Sequence, residues 1–441
     1  MRAMTKRALM LFIVGSVTAA ALSGCNTVEK PPAVEHGFEE TQLVVGTQER
    51  AGGETARFYL VEIPGGGQGT GNGGQEAAGQ SVPEFVGPDE FPPGYNPLTG
   101  LPAADPTLLT MRPVFISISH FPPMATRPLT GISFAPWVFE LFIGEGQTRL
   151  FTLFYGQYPE AVGVTGTDGG AQSGAEVSGG ASAGEGANAD LRIQGVRSGR
   201  VAYEDFRQFF NACMIIGGAD PQVAAKLNIC ANAFSNDPDN IGAGGLDISR
   251  LYHIALQSAQ GRETPNLSGN RFSLTVPEGG KPANELLMWY NYLNQTNWFY
   301  DAAKRAYMRY EDFADGSGEY TQSIDRLTGE PLGSQNVIVM FVNHRQMNAA
   351  GTIFEMDVAY SRGQALLFRD GQMFPILWDT TNGEYEKETG RLRPIRFTDQ
   401  NGNPIALHPG NSWVHVVTNI SGYQELADGA WKVRFYAPSY P

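Results

Sequence analysis

The chain has 441 residues, a formal net charge of −14 at pH 7 and an aromatic content of 11%. This length is sufficient for more than one folded domain, and the aromatic and β-branched content is typical of a β-rich globular protein. The negative charge repels phosphate backbones and therefore excludes nucleic acid as a partner.

Residues 1–25 have the features of a bacterial lipoprotein signal peptide. Basic side chains precede residue 8, the stretch 8–21 is apolar but short for a membrane-spanning helix, and the lipobox Leu-Ser-Gly-Cys ends at Cys25. In proteins with this motif the leader is cleaved before the cysteine, which carries fatty acyl chains such as palmitate. Several such chains anchor a protein stably, at roughly 0.8 kcal/mol per buried methylene. The sequence therefore predicts a protein that is lipid-anchored to the cell membrane through Cys25 and faces the extracytoplasmic side.

Residues 26–94 are predicted to be a flexible tether rich in glycine and proline. The segment 65–79 (GGGQGTGNGGQEAAG) has too few apolar side chains to order itself. Two short runs, 42–46 and 56–63, have the composition of strands. A flexible tether of this length reaches roughly 5 to 6 Å times the square root of its residue number, so the folded part can stand tens of ångströms from the membrane.

The first folded domain is predicted at 95–275, with an α+β fold built on a mixed sheet. Alternating apolar residues predict a strand at 114–118. The run 137–155 partly fits helical spacing, but its aromatic and β-branched residues and its central glycines favour a β-hairpin. Residues 163–189 are predicted to be a disordered glycine-rich insertion, because they lack the Gly-Lys-Ser/Thr ending and the basic residues of a phosphate-binding loop.

The predicted hairpin has a four-residue loop, which determines the expected pairing. Phe142 is expected opposite Arg149, with Glu140 on the same face as Arg149 and one diagonal step away. Two interpretations follow from this arrangement. The pair is either an exposed ion pair, worth under about 1 kcal/mol, or part of a face that lines a binding cleft.

The motif Arg197-Ser198-Gly199-Arg200 precedes a predicted helix, and Ser198 suits the N-cap of that helix. Two arginines beside a helix start could clamp a carboxylate or a phosphate. Alternatively, the arginines pair with carboxylates such as Glu140 and Glu204. The sequence thus offers one candidate binding cleft, composed of Glu140, Glu145, Arg149, Arg197, Ser198 and Arg200.

An ordered set of short motifs resembles the YerB-like family of bacterial lipoproteins. The motifs include Asn96-Pro97-Leu98-Thr99-Gly100, Thr148-Arg149, the Arg197 motif, Asn336-Val337-Ile338-Val339 and Gly410-Asn411-Ser412-Trp413. The family's domains have no known function, so the resemblance implies a fold and a location but no catalytic residues. It implies an α+β N-terminal domain followed by a smaller, β-rich C-terminal domain.

Cys213 and Cys230 are the thiols that remain beside Cys25. Outside the cytoplasm they could form a disulfide, worth roughly 3 kcal/mol in the chain-entropy model, or they could be buried as thiols. The six histidines show no metal-ligand spacing and the chain has no Cys-x-x-Cys motif, so no metal and no cofactor are expected.

The second domain is predicted at 280–441 as a smaller, mainly antiparallel β domain. A helix is predicted at 248–259, and a further helix at 283–293 is expected to lead into the strands of the second domain. Its turn signals include Arg369-Asp370-Gly371-Gln372, which indicates a hairpin. Trp378 and Trp413 fit either the core of this domain or a stacking platform for sugar rings.

No serine at a predicted strand-to-helix turn has the Gly-x-Ser-x-Gly pattern of a nucleophile elbow, and no other catalytic signature is present, so we expect a binding protein rather than an enzyme. The expected partners are peptidoglycan, other cell-wall material or an envelope protein. The alternative is a hydrolase that acts on an envelope polymer through Glu140 and Glu145 as a carboxylate pair.

Overall fold

The computed structural model describes residues 43–49, 55–61, 84–159, 192–233 and 244–439, the first two ranges by their backbone. The signal peptide, the lipidation site Cys25 and the glycine-rich insertion 163–189 lie outside the described residues. They remain predictions.

The first part of the described chain, up to residue 247, contains eleven strands. They are β1 (Leu43–Glu49), β2 (Thr55–Val61), β3 (Tyr95–Asn96), β4 (Leu101–Pro102), β5 (Val114–Ile118), β6 (Trp137–Gly144), β7 (Gln147–Phe154), β8 (Arg192–Gln194), β9 (Cys213–Ile216), β10 (Ala231–Asn232) and β11 (Gly245–Asp247).

The described residues after 247 contain seventeen strands. They are β12 (Arg271–Phe272), β13 (Lys281–Pro282), β14 (Glu285–Asn291), β15 (Asn294–Asp301), β16 (Ala306–Asp312), β17 (Glu319–Gln322), β18 (Gly333–Ser334), β19 (Asn336–Val342), β20 (His344–Gln346), β21 (Phe354–Met356), β22 (Arg362–Arg369), β23 (Gln372–Asp379), β24 (Arg396–Thr398), β25 (Ala406–Leu407), β26 (Ser412–Thr418), β27 (Gly422–Ala427) and β28 (Ala430–Arg434).

Helices are short in the described residues. They are α1 (Pro123–Thr126), α2 (Tyr203–Phe209), α3 (Pro221–Ala224), α4 (Ile248–Ala259) and α5 (Glu384–Thr389), with 3₁₀ turns at Pro106–Thr110 and Ile132–Phe134. The structure is therefore consistent with the predicted α+β class, but it contains far more strand than helix.

Two large sheets contain most of the described strands. The larger sheet has the order β10-β9-β5-β7-β6-β26-β19-β22-β23-β13, and β24 also pairs with β23. The smaller sheet has the order β1-β2-β17-β16-β15-β14-β28-β27, and β18 also pairs with β16. Because β6 pairs in parallel with β26, strands from both predicted domains belong to one sheet. Strands from before and after the predicted boundary near residue 280 therefore lie side by side in this sheet.

The larger sheet is buried on both faces. Residues such as Val138 and Leu150 on one face belong to the same apolar core as Trp298 of the smaller sheet. On the other face, Phe139 and Phe151 pack in a second core with the residues of α2. Burial on both faces explains why these strands are apolar at nearly every position instead of alternating with polar residues.

Several predicted elements are confirmed. The strand at 114–118 is β5, the run 137–155 is the β6–β7 hairpin, and the helix at 248–259 is α4. The turn at Asp370 and Gly371, both with positive φ, joins β22 to β23 as predicted. Trp378 and Trp413 are 2% exposed, which places both in the core.

The predicted helix at 283–293 is wrong. This segment is strand β14, which pairs with β15 on one side and with β28 on the other. Leu286, Trp289 and Tyr290 have helical spacing, but Leu286, Met288 and Tyr290 also alternate along a strand, and all three of the latter are buried in the core between the sheets. The sequence fits both a helix and a strand, and pairing with the neighbouring strands determines that the segment is a strand.

The strands of the C-terminal part are only partly antiparallel, whereas a mainly antiparallel domain was predicted. The pairs β14–β28 and β19–β26 are parallel, whereas β15–β16 and β22–β23 are antiparallel. Within the predicted tether, β1 and β2 form an antiparallel pair near the two strand-like runs, and β2 pairs in parallel with β17.

Cys213 and Cys230 form a disulfide in the described structure, with Cα atoms 5.6 Å apart. Cys213 begins β9, and Cys230 immediately precedes β10, the strand that pairs with β9 in parallel. The cross-link therefore holds the edge of the larger sheet together.

Replacing both cysteines, as Cys213→Ala with Cys230→Ala, is expected to lower the free energy of unfolding by about 3 kcal/mol, because the unfolded chain regains the entropy of an open loop. Urea denaturation of the oxidised protein and of the double variant measures the difference. Adding a reductant should lower the denaturation midpoint of the wild-type protein about as far as the double substitution does. An unchanged midpoint in both experiments would contradict the expectation.

Candidate functional site

The β6–β7 hairpin has a different register from the predicted one, and this divides the predicted cleft. Its turn is Glu145-Gly146, both with positive φ, and a bulge at Ile143 shifts the pairing. Leu141 lies opposite Arg149, whereas Phe142 lies opposite Thr148. Because a shift of one residue reverses the faces of a strand, Glu140 and Arg149 point to opposite faces of the larger sheet.

Glu140 lies between the two sheets and is 0% exposed. Its Oε1 atom accepts a hydrogen bond from Thr148 Oγ1 at 2.8 Å, and its Oε2 atom accepts one from Trp413 Nε1 at 3.1 Å. Burial raises the pKa of the Glu140 carboxyl, but His415, His120 and Arg309 together outweigh burial and leave this pKa below its usual value. Glu140 is therefore a buried, ionised carboxylate.

His415, which pairs with Glu140 across β26 and β6, connects this carboxylate to the smaller sheet. Its Nε2 atom accepts a hydrogen bond from Trp298 Nε1 at 3.0 Å, so the proton of the neutral ring is on Nδ1. Nδ1 lies 3.3 Å from Glu140 Oε2 and 3.1 Å from the hydroxyl of Tyr290. Burial lowers the pKa of His415 to about 4, which keeps the ring neutral at pH 7.

A second buried charge pair adjoins Glu140 and its partners. Arg309 Nη1 lies 2.9 Å from Glu311 Oε2, and Arg127 Nε lies 3.1 Å from the same oxygen. Burial raises the pKa of Glu311, but Arg127 and Arg309 outweigh it and lower this pKa to about 2. The Arg309 guanidinium also lies 4.9 Å from the ring centre of Trp413. We call Glu140, Thr148, Trp413, His415, Tyr290, Trp298, Arg309, Glu311 and Arg127 the intersheet network.

The intersheet network leaves Glu140 inaccessible to a polymer, because the side chain has no exposed surface and both of its oxygens accept hydrogen bonds. Glu145 instead lies at the exposed tip of the hairpin. The two carboxylates therefore do not line one cleft, as a catalytic pair must.

The other predicted site residues do come together, on the opposite face of the larger sheet. Arg149 Nη1 donates to the Ser198 carbonyl at 2.9 Å, and Arg200 Nη1 donates to the same oxygen at 3.3 Å and to the Gly199 carbonyl at 3.0 Å. Arg197 is the neighbour of Ser198 in the chain, and all three guanidinium groups influence one another electrostatically. We call Arg149, Arg197, Ser198 and Arg200 the arginine cluster.

Two guanidinium nitrogens of the arginine cluster are buried and have no hydrogen-bond acceptor in the described part of the chain. They are Nε of Arg149 and Nε of Arg200. Arg149 is 7% exposed, whereas Arg200 is half-buried, so the cluster lies nearest to the surface at Arg200. Burial lowers the pKa of Arg149 to about 10, Tyr203 opposes this effect, and the charges of Arg200 and Arg197 lower the pKa further. The cluster is thus a concentration of positive charge that leaves hydrogen-bond donors available.

The predicted carboxylate partners of these arginines are wrong. Glu204 forms an ion pair with Arg207 at 2.7 Å and accepts a hydrogen bond from the Asn228 N–H, whereas Glu140 lies on the other face of the sheet. Within the described ranges, neither Arg149 nor Arg200 forms an ion pair. Ser198 is not an N-cap either, because α2 begins at Tyr203 and its N-cap position is Ala202.

The arginine cluster lies where two parallel strands end. Arg197 N donates to the Ser117 carbonyl near the end of β5, and Gly217 N, which follows β9, donates to the Arg197 carbonyl. Gly199 N donates to the Gly218 carbonyl at 2.8 Å, and a Cβ atom at Gly199 would lie 2.6 Å from Leu227. The carboxyl ends of parallel strands are a common place for ligand sites, and the backbone here is fixed by hydrogen bonds on both sides.

Sequence reasoning missed most of the intersheet network, because its members are far apart in the chain. The available signals were charged or imidazole side chains within apolar strands, such as Arg309 and Glu311 in β16 and His415 in β26. Among the described residues, no group of three or more histidine, cysteine or carboxylate side chains is placed to hold a metal ion.

Family models and a known protein are similar to this chain. The N-terminal domain of the protein of unknown function DUF3048 matches residues 98–165, and its C-terminal domain matches residues 287–414. The "Putative lipoprotein YerB" of Bacillus subtilis strain 168 is 25% identical over 338 residues, which cover 74% of this chain and 86% of that protein. The resemblance to the YerB-like family is confirmed.

The fold of this chain also has a counterpart among solved structures. The crystal structure of the YerB protein from Bacillus subtilis matches with a TM-score of 0.52 and 20% identity, covering 73% of this chain and 96% of that one. A likeness at this identity shows the fold. None of the helices in the described ranges has the length and apolar character needed to span a bilayer.

Replacing Glu140 by alanine is expected to lower the free energy of unfolding by about 3–5 kcal/mol, since Trp413 Nε1 and the Thr148 hydroxyl lose their buried acceptor. Chemical denaturation monitored by fluorescence measures this change. The control Glu145→Gln, at the exposed turn, should change the free energy by less than about 0.5 kcal/mol. Equal effects of the two variants would contradict the structure.

Stability is expected to fall as the pH is lowered from 7 to 5. Burial lowers the pKa of His120, His344 and His415 to about 4, so each binds a proton below pH 6.5 in the unfolded chain but not in the folded one. Each histidine then costs about 2 kcal/mol over this interval. Asp205 and Asp312, whose pKa values burial raises to about 6, act in the opposite direction.

Urea denaturation of His344→Gln at both pH values tests this expectation. The loss of stability between pH 7 and pH 5 should be smaller in this variant by about 2 kcal/mol, because one of the three protonation sites is removed. His253→Gln is the control, since His253 is exposed, and it should leave the loss unchanged. A loss that is the same in His344→Gln and the wild type would be evidence against the expected linkage.

Proposed function

We propose that the chain is a lipid-anchored, extracytoplasmic binding protein of the cell envelope, and that its arginine cluster binds carboxylate or phosphate groups of cell-wall material. The observation that carries the proposal is the pair of buried Nε–H groups of Arg149 and Arg200, which have no acceptor among the residues that the structure describes. Buried donors are nearly always satisfied in folded proteins, so an external acceptor is the natural explanation.

Three features of the cluster support an anion as that acceptor. Guanidinium groups form short, charge-assisted hydrogen bonds to carboxylates and phosphates, often with two nitrogens at once. Bringing three guanidinium groups together is electrostatically unfavourable, and a bound anion would reverse that cost. The fixed backbone at Arg197 and Gly199 holds the motif in one conformation before any ligand arrives.

The envelope location is supported by the lipobox at Cys25 and by the name of the Bacillus subtilis relative, which describes that protein as a putative lipoprotein. Cell-wall polymers outside the membrane are rich in carboxylate and phosphate groups, so an anchored protein with a cationic site meets such ligands at high local concentration. We propose binding, without turnover, as the function.

Cosedimentation of the full chain, purified in detergent, with insoluble peptidoglycan tests this proposal. Arg200→Ala should bind at least about tenfold more weakly, because a charge-assisted hydrogen bond contributes about 1.5–3 kcal/mol. Arg149→Lys keeps the charge but loses the forked donor geometry, so it should also bind more weakly without unfolding.

The matched control is Arg192→Ala. Arg192 lies in the same part of the chain but is exposed and forms an ion pair with Asp247. Its replacement should leave cosedimentation unchanged. Equal binding by the wild type, Arg200→Ala and Arg149→Lys, all with unchanged melting temperatures, would refute the proposal. Retention on purified envelope proteins but not on peptidoglycan would refute the cell-wall ligand.

A further inference from the structure

A cleft of about 480 Å³ opens in the C-terminal part of the chain. Residues at the ends of β19, β23 and β26 and at the beginnings of β22 and β27 line it, so both sheets contribute to its walls. Its volume lies within the usual range for sites that bind small molecules. It contains no residue of the arginine cluster or of the intersheet network.

Aromatic side chains form the apolar part of the cleft. Tyr423 is 48% exposed, and its ring centre lies 6.0 Å from that of Phe341, which is half-buried. Trp378 lies beneath them and donates from Nε1 to the Phe341 carbonyl at 3.1 Å. A Cβ atom at Gly363 would lie only 2.7 Å from this indole nitrogen, so glycine is required for the close approach of β22 to Trp378. The aromatic part of the cleft therefore belongs to packed strands instead of loops.

Polar side chains line the rest of the cleft, and three of them are amides. Asn343, Gln364 and Asn419 are exposed, and the Asn343 amide is oriented by a hydrogen bond of 2.6 Å to Asp357. Arg362 and Asp357 supply one positive and one negative charge to the lining, and Asp357 also forms an ion pair with Arg345 at 2.9 Å. The amides can donate and accept hydrogen bonds at the same time, and the two charges balance each other.

We infer that this cleft binds a neutral carbohydrate. A sugar ring has an apolar face of C–H groups that fits the exposed Tyr423 ring, and an edge of hydroxyl groups that both donate and accept, as amides do. The balanced charge of the cleft gives no preference for an anion, in contrast to the arginine cluster. This second site therefore binds a different chemical group from the one proposed for the arginines.

Isothermal titration of the full chain in detergent with chitotetraose and with cellotetraose tests the inference. At least one of these neutral oligosaccharides should bind, and Tyr423→Ala should weaken the affinity at least about tenfold through the loss of ring stacking. Gln364→Ala should weaken it as well, without an effect on the fold, because the side chain is exposed.

Tyr292→Ala is the matched control, since Tyr292 is 65% exposed and lies outside the cleft, and it should bind as the wild type does. No binding of either oligosaccharide at about 5 mM would overturn the inference. Equal binding by Tyr423→Ala and the wild type would also overturn it, as would equal losses in Tyr423→Ala and Tyr292→Ala. Binding of a cell-wall stem peptide that is lost in Tyr423→Ala, without any oligosaccharide binding, would assign the cleft to peptides instead.

The two sites can fail separately. Arg200→Ala should bind the oligosaccharides as the wild type does, because Arg200 does not line the cleft. If the oligosaccharides bind and peptidoglycan cosedimentation is insensitive to Arg200, the proposal for the arginine cluster fails while this one holds. If peptidoglycan cosedimentation depends on Arg200 but neither oligosaccharide binds, the inference for the cleft fails while the proposal for the arginine cluster holds.

Discussion

The arrangement of the two sheets depends on the buried carboxylate of Glu140. An ionised carboxylate without water requires several hydrogen-bond donors, and here they come from β7 and β26 on either side of β6. His415 extends the same network to Trp298 and Tyr290 of the smaller sheet. A change in the register of β6 or in the position of either sheet would leave a charge or a donor unsatisfied. The network therefore favours one packing of the two sheets over alternatives that bury similar apolar area.

The same hairpin carries charge on both faces, with opposite consequences. On the face toward the smaller sheet, the Glu140 charge is satisfied by donors within the protein. On the other face, Arg149 lies near Arg197 and Arg200, and the Nε atoms of Arg149 and Arg200 have no acceptor within the described ranges. A protein tolerates such a cluster when the surrounding structure is held firmly, and the rigid hairpin provides that support. The Glu140 carboxylate on one face thus helps to hold the hairpin that carries the arginine cluster on the other.

Local sequence patterns predicted much of the N-terminal half and several strands of the C-terminal half. They predicted the type of the β6–β7 hairpin but not its register, because a two-residue turn with a bulge and a four-residue loop have similar sequences. The helix assigned to 283–293 failed because pairing with β15 and β28 overrides local periodicity. The Arg197 motif was predicted to be part of a site and stays a prediction, whereas its expected partner Glu140 was excluded by the register alone. The contacts of His415 join strands that are more than one hundred residues apart, which no local pattern can reveal.

The central claim is that the arginine cluster holds an anion supplied from outside the protein. Nuclear magnetic resonance of the full chain with ¹⁵N-labelled arginine observes the relevant atoms directly, since each Nε–H gives its own signal. On addition of soluble peptidoglycan fragments, the signals of Arg149 and Arg200 should shift and their exchange with water should slow, while that of Arg192 stays in place. Unchanged Arg149 and Arg200 signals at saturating fragment concentration would contradict the claim.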